Sequence, residues 1–304
     1  MESFIAVVPI FLLVGIGFVL RATGIVRPSW IKVLNGFVYY VSLPALVISQ
    51  FARTEWSADI VRFVAANIIV LIAGALVAAV VARGLVHAQK DRAVVFMGGL
   101  IMNSIYLGIP LVERLSSAPH EQIVLAAVIQ LVGGMLLSLI GVEYLFVGSR
   151  RARTIARKLV YNPLTIGTAA GIALAVCTLA STPFAKSLLT PVDMLAGTAS
   201  PVALFVLGAF LYGKSLYHKK RVIGLIALIK LVVSPLVAVV IARAILPDAS
   251  DTAIVVVLFA MPVAVTAFVL SETYKLDTQT VAAAMLVTTL LGMVTLPLWW
   301  QILT

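Results

Sequence analysis

Charge is what this sequence has least of. Asp, Glu, Lys and Arg make up 11% of its 304 residues, where soluble domains carry about 25%. Hydrophobic residues reach 62% and mean hydropathy is +1.14. So little polar surface cannot cover an apolar core in water, which excludes an ordinary soluble enzyme, a disordered chain and a secreted disulfide scaffold. Cys177 is the only cysteine, so an intrachain disulfide and a cysteine-built metal site are both excluded. None of the twelve acidic residues falls at the centre of an apolar run. A cation/proton exchanger needs a titratable carboxylate there to bind and release its ion, so that class fits poorly. There is no Walker loop, hence no direct ATP drive. No metal-ligand or nucleophile constellation occurs inside the apolar runs, and we expect no enzyme, no cofactor and no metal. The net charge of +10 does not imply a nucleic-acid partner, because the basic residues sit in short strips between apolar runs rather than on one soluble face.

What the chain does have is apolar runs of membrane-crossing length, about 20 residues each. Ten are expected: Phe4–Leu20, Ile31–Gln50, Phe63–Ala82, Ala93–Leu111, Ile123–Phe146, Leu159–Leu179, Val192–Tyr212, Val222–Ala244, Thr252–Leu270 and Thr280–Leu303. Only Glu2 stands where a cleaved leader would carry positive charge, so the first run reads as a retained span. Sixteen of the 22 Lys and Arg fall in loops after odd-numbered spans and five on the opposite side. Short basic loops stay cytoplasmic. The expectation is therefore an integral protein of a bacterial inner (plasma) membrane with both termini on the extracytoplasmic side.

The sequence also echoes itself. VAAVVARGL (Val77–Leu85) returns as VAVVIARAI (Val237–Ile245), 160 residues on. Leu111–Glu113 parallels Leu270–Glu272, Pro9 and Gly17 parallel Pro163 and Gly171, Pro44 parallels Pro201, and Gly134-Met135 parallels Gly292-Met293. The shared order and offset suggest a first five-helix repeat over 1–147, a short basic linker at 148–158 with Arg150, Arg151, Arg153, Arg157 and Lys158, and a second repeat over 159–304, all in one transmembrane domain. Five is odd, so the second repeat would enter the membrane from the opposite side, as in many secondary transporters.

Two spans at equivalent places carry breakers. The fourth contains Gly98, Gly99, Asn103, Gly108 and Pro110, and the ninth contains Pro262. A membrane proline removes a backbone donor and obstructs the preceding turn, so protein, water or ligand must satisfy what it frees. We expect both spans to be broken and to cross near the midplane, where half-helix N-termini suit an anion. Two ordinary kinked helices are the alternative.

At these residues the sequence resembles the auxin efflux carrier family, which includes bacterial malonate-type carriers and plant PIN-type transporters. NSIYLGIPL (Asn103–Leu111) is similar to the family's fourth span and AMPVAVTAFVLSETYKLD (Ala260–Asp277) to its ninth. Ser42–Phe51, Arg62–Asn67, Val128–Gln130, Arg157–Pro163 and Leu207–Gly213 add matches in order. The resemblance implies an all-α polytopic protein of ten transmembrane helices, in two inverted repeats with crossed, broken helices four and nine, that transports organic anions. It implies Asn103 as a substrate-contacting amide, Gln130 as a pocket residue and Pro262 as the ninth-span break. It also implies a stationary scaffold of spans one, two, six and seven, which could form a homodimer face. Two departures stand out: Met102 where plant members have proline, and Asn67 where many have aspartate.

Read singly, the polar residues inside the spans have two possible uses each. Lys230 could neutralise a substrate carboxylate, or be a structural lysine that snorkels to the cytoplasmic surface or bonds the carbonyls of a broken helix. Asn103 could grip a carboxylate or satisfy opened backbone. Gln130, Asn67 and Thr266 could line a pocket or form interhelical hydrogen bonds. With the adjacent Ser104 and Val263, these make the expected substrate site, and Gly108, Pro110 and Pro262 the expected breaks. Tyr39, Tyr40, Trp299 and Trp300 read as belt or packing residues, and Glu113, Glu143 and Glu272 as solvated or paired span ends. The reading is a secondary active transporter of small organic anions, dicarboxylates such as malonate or auxin-like weak acids, working by alternating access in the lipid bilayer. An antiporter-like exchanger, or an uncoupled channel or sensor on the same fold, is the alternative.

Overall fold

The computed structural model describes residues 2–54, 57–147, 160–176, 183–213 and 219–304. The connector expected at 148–158 lies outside these, as do Cys177 and His218. Every regular element among the described residues is helical. In order they are α1 (Glu2–Ala22), α2 (Pro28–Phe37), α3 (Leu43–Arg53), α4 (Ala58–Leu85), α5 (Gln89–Leu100), α6 (Ile109–Leu115), α7 (His120–Gly141) and α8 (Pro163–Val176). There follow α9 (Pro183–Gly197), α10 (Ala199–Leu211), α11 (Lys220–Leu228), α12 (Ser234–Ile245), α13 (Ala249–Phe259), α14 (Val265–Thr273) and α15 (Thr278–Leu303).

Six continuous helical stretches are long and apolar enough to cross a membrane: Pro28–Arg53, Ala58–Leu85, Gln122–Gly141, Leu189–Leu211, Lys220–Ile245 and Thr278–Leu303. Shorter apolar helices cover Val8–Ala22, Pro163–Ala175 and Ala249–Phe259. The outward faces are as apolar as the core. On α4, Ile68, Ile72, Leu76 and Val80 recur at four-residue spacing and are all exposed, and on α15 Leu290, Val294, Leu298 and Ile302 do the same. Water does not tolerate contiguous apolar stripes of that extent on a monomer, whereas lipid does. The protein is an integral membrane protein.

Four π turns occur among the described residues; the one at Val142–Val147 precedes no proline, and the other three share one cause. π turns at Val38–Ser42, Ser104–Gly108 and Ile229–Val233 close when the N–H of Leu43, Ile109 or Ser234 reaches a carbonyl five residues back. The next residue is proline every time: Pro44, Pro110 and Pro235. Proline lacks a donor and its ring crowds the carbonyl four residues earlier, so the ladder opens there. For Pro235 that carbonyl belongs to Leu231, and the Trp299 indole donates to it at 2.8 Å. Trp299 therefore serves as a polar clamp inside the bundle as well as packing.

The helices pack in two groups. α1 lies along α10, and α3 lies along α8 and α9. The α1–α10 crossing is a backbone contact: a Cβ on Gly17 would run into the Phe205 carbonyl, and one on Gly208 into the Val14 carbonyl. In the second group α4 packs on α5, α7 and α12, α12 packs on α13, and α11 and α13 pack on α15. At one end of this group Lys219 bridges Asp91 at 2.7 Å and Asp277 at 2.9 Å, tying together the starts of α5, α11 and α15. Asp277 also caps α15 by accepting from the Thr280 N–H.

Gly208→Ala should cost about 1–3 kcal/mol through overpacking, read as a lower thermal midpoint of the purified protein in detergent. Gly36→Ala, at a position with open space around it, should leave the midpoint unchanged, and equal midpoints for both variants would refute the close approach.

Hydrogen bonds that Lys219 donates, first to Asp91 and then to Asp277, raise its pKa above the usual value. The folded state therefore gains from the protonated lysine below the unfolded value of about 10.4, and that gain disappears as pH rises through the raised folded value. The trio is partly exposed, so it contributes at most about 1 kcal/mol. Lys219→Met should lower the midpoint by about 2 °C at pH 8, and the difference should vanish above the lysine range and in molar salt.

Candidate functional site

The chain leaves the helix at two places and the two departures meet. α5 ends in the pair Gly98-Gly99 and Leu100, and Ile101 still donates to the Met97 carbonyl at 2.9 Å. Asn103 then stands at φ −84°, ψ 49°, outside the helical region. α13 ends at Phe259, where Pro262 has no N–H to offer the Leu258 carbonyl four residues earlier; Met261 bonds it instead, at 3.3 Å. Helix resumes at Ser104 on one segment and at Val265 on the other. Between them, Met102 and Val263 form an antiparallel bridge. Asn103 N–H donates to the Pro262 carbonyl at 2.8 Å, and Ala264 N–H to the Ile101 carbonyl at 3.2 Å. Lipid offers no partner to a freed peptide group, so the two breaks satisfy each other. Pro262 lies in the non-helical stretch after α13, and Gly108 and Pro110 lie inside and just after the π turn that restarts the fourth segment.

Small residues let neighbouring helices reach this junction. A Cβ on Gly134 of α7 would stand 3.1 Å from the Leu100 carbonyl oxygen, and one on Gly292 of α15 would stand 3.0 Å from Pro262 Cγ. Side chains supply the remaining bonds. Val263 N–H donates to Thr288 Oγ1 at 3.1 Å, and that hydroxyl in turn donates to the Ala284 carbonyl at 2.8 Å. Because Val263 is engaged elsewhere, the Phe259 carbonyl lacks its helical partner. Lys230 Nζ approaches it at 3.4 Å. Lys230 is fully buried; of its expected uses, bonding a carbonyl of the broken helix is the one visible here, and it does not snorkel.

The other expected residues lie close by. Ser104 Oγ donates to the Ala127 carbonyl at 2.9 Å, which fixes the restarted helix against α7. One turn along α7, Gln130 Nε2 donates to Asn67 Oδ1 at 3.0 Å, and Asn67 Nδ2 donates to the Phe63 carbonyl at 2.9 Å. Asn67, Ser104, Gln130 and Val263 are all completely buried, and Asn103 nearly so. Three polar atoms are left over. Asn103 Nδ2, Gln130 Oε1 and Thr266 Oγ1 are buried with no hydrogen-bond partner among the described residues. Such an atom forfeits about 1–3 kcal/mol, and three together at one junction call for an occupant or a function.

A cavity lies to one side of this junction. It holds about 480 Å³ and is lined by Leu46, Ser49, Gln50 and Arg53 of α3, Ile109 and Glu113 of α6, Asp193, Ala196 and Gly197 of α9, and Ser200. Arg53 forks onto Asp193 with bonds of 2.9 and 2.5 Å, and Ser49 donates to the same carboxylate at 2.5 Å. None of the eight expected substrate-site residues lines it; Ile109, the residue after Gly108, is where it comes nearest in sequence. The expected site is thus a closed polar knot, and the open space is a vestibule beside it.

Sequence reasoning passed over Thr288, the Phe259 carbonyl and the Arg53–Asp193 pair. The first had a signal. Extending the register that pairs Gly134 with Gly292 by four residues upstream sets Gln130 opposite Thr288. The other two had none, since a carbonyl is not a side chain and 140 residues separate Arg53 from Asp193. Glu143, expected to be solvated or paired with basic loop residues, is buried.

The two helix breaks thus meet inside a lipid-facing bundle. The chain belongs to the membrane transport protein family, the auxin efflux carriers, whose family model matches residues 2–300. It is similar to an uncharacterized transporter of Methanothermobacter thermautotrophicus, 25% identical over 308 residues that cover 100% of this chain and 99% of the relative. It is also similar to an uncharacterized transporter of Methanocaldococcus jannaschii, 24% identical over 306 residues, covering 97% of this chain and 96% of that protein.

Thr288→Val removes the hydroxyl that accepts from the Val263 amide while keeping side-chain shape. It should lower stability by about 1–3 kcal/mol, with Thr288→Ser close to wild type, in thermal unfolding of the purified protein. A Val variant as stable as wild type would show the junction holds without this bond.

Proposed function

We propose that this protein is a secondary active carrier of small organic anions, with its substrate site at the paired helix breaks. The observation that carries the reading is the unpartnered, buried Asn103 amide beside the N-terminus of α14. The first N–H groups of a helix have no intrahelical partner and carry partial positive charge. A carboxylate placed there accepts from them and from Asn103 Nδ2, with Thr266 Oγ1 as a further donor. Lys230, Asn67 and Gln130 support the site from behind, and Ser104, Pro262 and Val263 hold its frame. The vestibule beside it, about 480 Å³, is large enough to admit a small dicarboxylate.

The packing supports two inverted five-helix repeats. With each span matched to the one five later, the first lies on the seventh as the sixth lies on the second, and the fourth lies on the third as the ninth lies on the eighth. Gly134 and Gly292, matched in the same way, each face one of the two breaks. On this reading ten spans cross a bacterial inner membrane, with spans one, two, six and seven as a scaffold and a possible dimer face. The vestibule separates that scaffold, through α3, α9 and Ser200, from α6 of the moving unit, so sliding of the one past the other opens and closes it. The distribution of Lys and Arg puts the vestibule on the extracytoplasmic side.

Asn103→Ala should reduce malonate uptake into proteoliposomes more than tenfold while leaving the thermal midpoint unchanged, because the deleted Nδ2 donor holds no partner in the fold. Unchanged uptake would remove Asn103 from the site, and a falling midpoint would return it to a structural role.

A further inference from the structure

The buried lysine raises a question that substrate binding alone does not answer. Lys230 is completely enclosed, and its one hydrogen bond is a long one, 3.4 Å, to a neutral carbonyl. The elements packed around its π turn are α5, α11, α12 and α15, with the end of α13 supplying the carbonyl. Their ionisable residues sit at the far ends of those helices. Lys220 and Arg221 open α11, nine or more residues and about 13 Å away. Lys90, Asp91 and Arg92 open α5, at least seven residues before Gly99, which touches Ile229, a distance of about 10 Å or more. Arg243 lies thirteen residues on, about 20 Å, and Asp251 and Asp248 eight or more residues before Phe259, about 12 Å. α15 contains no ionisable residue. Among the described residues, no carboxylate faces this amine.

A buried ammonium without a counter-charge is among the costliest arrangements a protein interior can hold, and the usual resolution is loss of the proton. A neutral amine is a weaker donor than an ammonium but can still donate to the Phe259 carbonyl, and a bond as long as 3.4 Å does not demand the charge. An anion at the helix breaks changes the balance, because the last residue of α13 is followed within a few residues by Pro262 and Val263 of the junction. We infer that Lys230 carries a co-transported proton: neutral in the empty carrier, it takes up one proton when an organic anion binds and gives it back when the anion leaves. The nitrogen lone pair forms the new N–H bond, the proton comes from water on the side to which the site is open, and release reverses both steps. The cargo is then an anion plus a proton, which makes the movement of a monocarboxylate electroneutral and reduces the charge moved with a dicarboxylate by one. This rests on the anion-carrier reading above and adds the coupling ion to it.

Calorimetric titration of the purified wild-type protein with malonate, in two buffers of different ionisation enthalpy, counts the protons exchanged. The expected result at pH 8 is uptake of about one proton per malonate, with affinity falling about tenfold for each pH unit above that. Lys230→Met, which keeps the length and apolar stem, should still bind malonate, more weakly, with no proton uptake and no such pH slope. Lys230→Arg should bind with no uptake, because a guanidinium stays charged throughout. Binding by wild type with no proton exchanged, or uptake that persists in Lys230→Met, overturns the assignment of the proton to Lys230 and leaves the carrier reading standing. No malonate binding by wild type overturns both.

Discussion

Everything distinctive in this protein follows from one requirement, that a peptide group inside an apolar layer must find a partner within the protein. Four prolines, Pro44, Pro110, Pro235 and Pro262, each remove a donor from a helix that has no water to fall back on. Three are absorbed locally by a π turn that reaches one residue further back. The fourth is not, and the chain opens fully between Phe259 and Val265. That opening survives only because a second opening, around Met102 and Asn103, presents complementary donors and acceptors in antiparallel register. The polar chemistry of the junction is a by-product of this repair: backbone pairs with backbone, and the side chains around it are left with surplus donors and acceptors.

The helical, membrane-embedded character could be read from composition, because a chain with this little charge has no soluble solution. The helix breaks could be read too, since glycine and proline act on their own segments and need no tertiary knowledge. The neighbours of those breaks were harder. Asn67, Gln130 and Lys230 stood out because a polar residue in an apolar run is conspicuous, but whether each faces ligand or backbone depends on partners dozens of residues away. Lys230 meets a carbonyl that is orphaned only because Val263 turned to Thr288, a chain of three elements that no local pattern encodes. The vestibule was invisible for a related reason. Its Arg53 and Asp193 lie near span ends, where charged residues are ordinary, and only the packing of α3 on α9 makes them a pair.

The two polar centres differ in what they can do. The Asn67–Gln130 contact joins two amides, neither of which titrates or carries charge, so it positions α4 against α7 without sensing its surroundings. Lys230 is the opposite, a single ionisable group held where charge is expensive. Placing the amides and the amine around the same junction separates geometry from electrostatics.

The α1–α10 crossing has a consequence for sequence drift. Where helices meet through side chains, a larger residue on one can be accommodated by a smaller one on the other. Here the partners of Gly17 and Gly208 are main-chain carbonyls, which no codon change can shrink. Neither position has a compensating neighbour, so the two glycines are expected to stay fixed while the lipid-facing residues around them wander freely among Val, Ile and Leu.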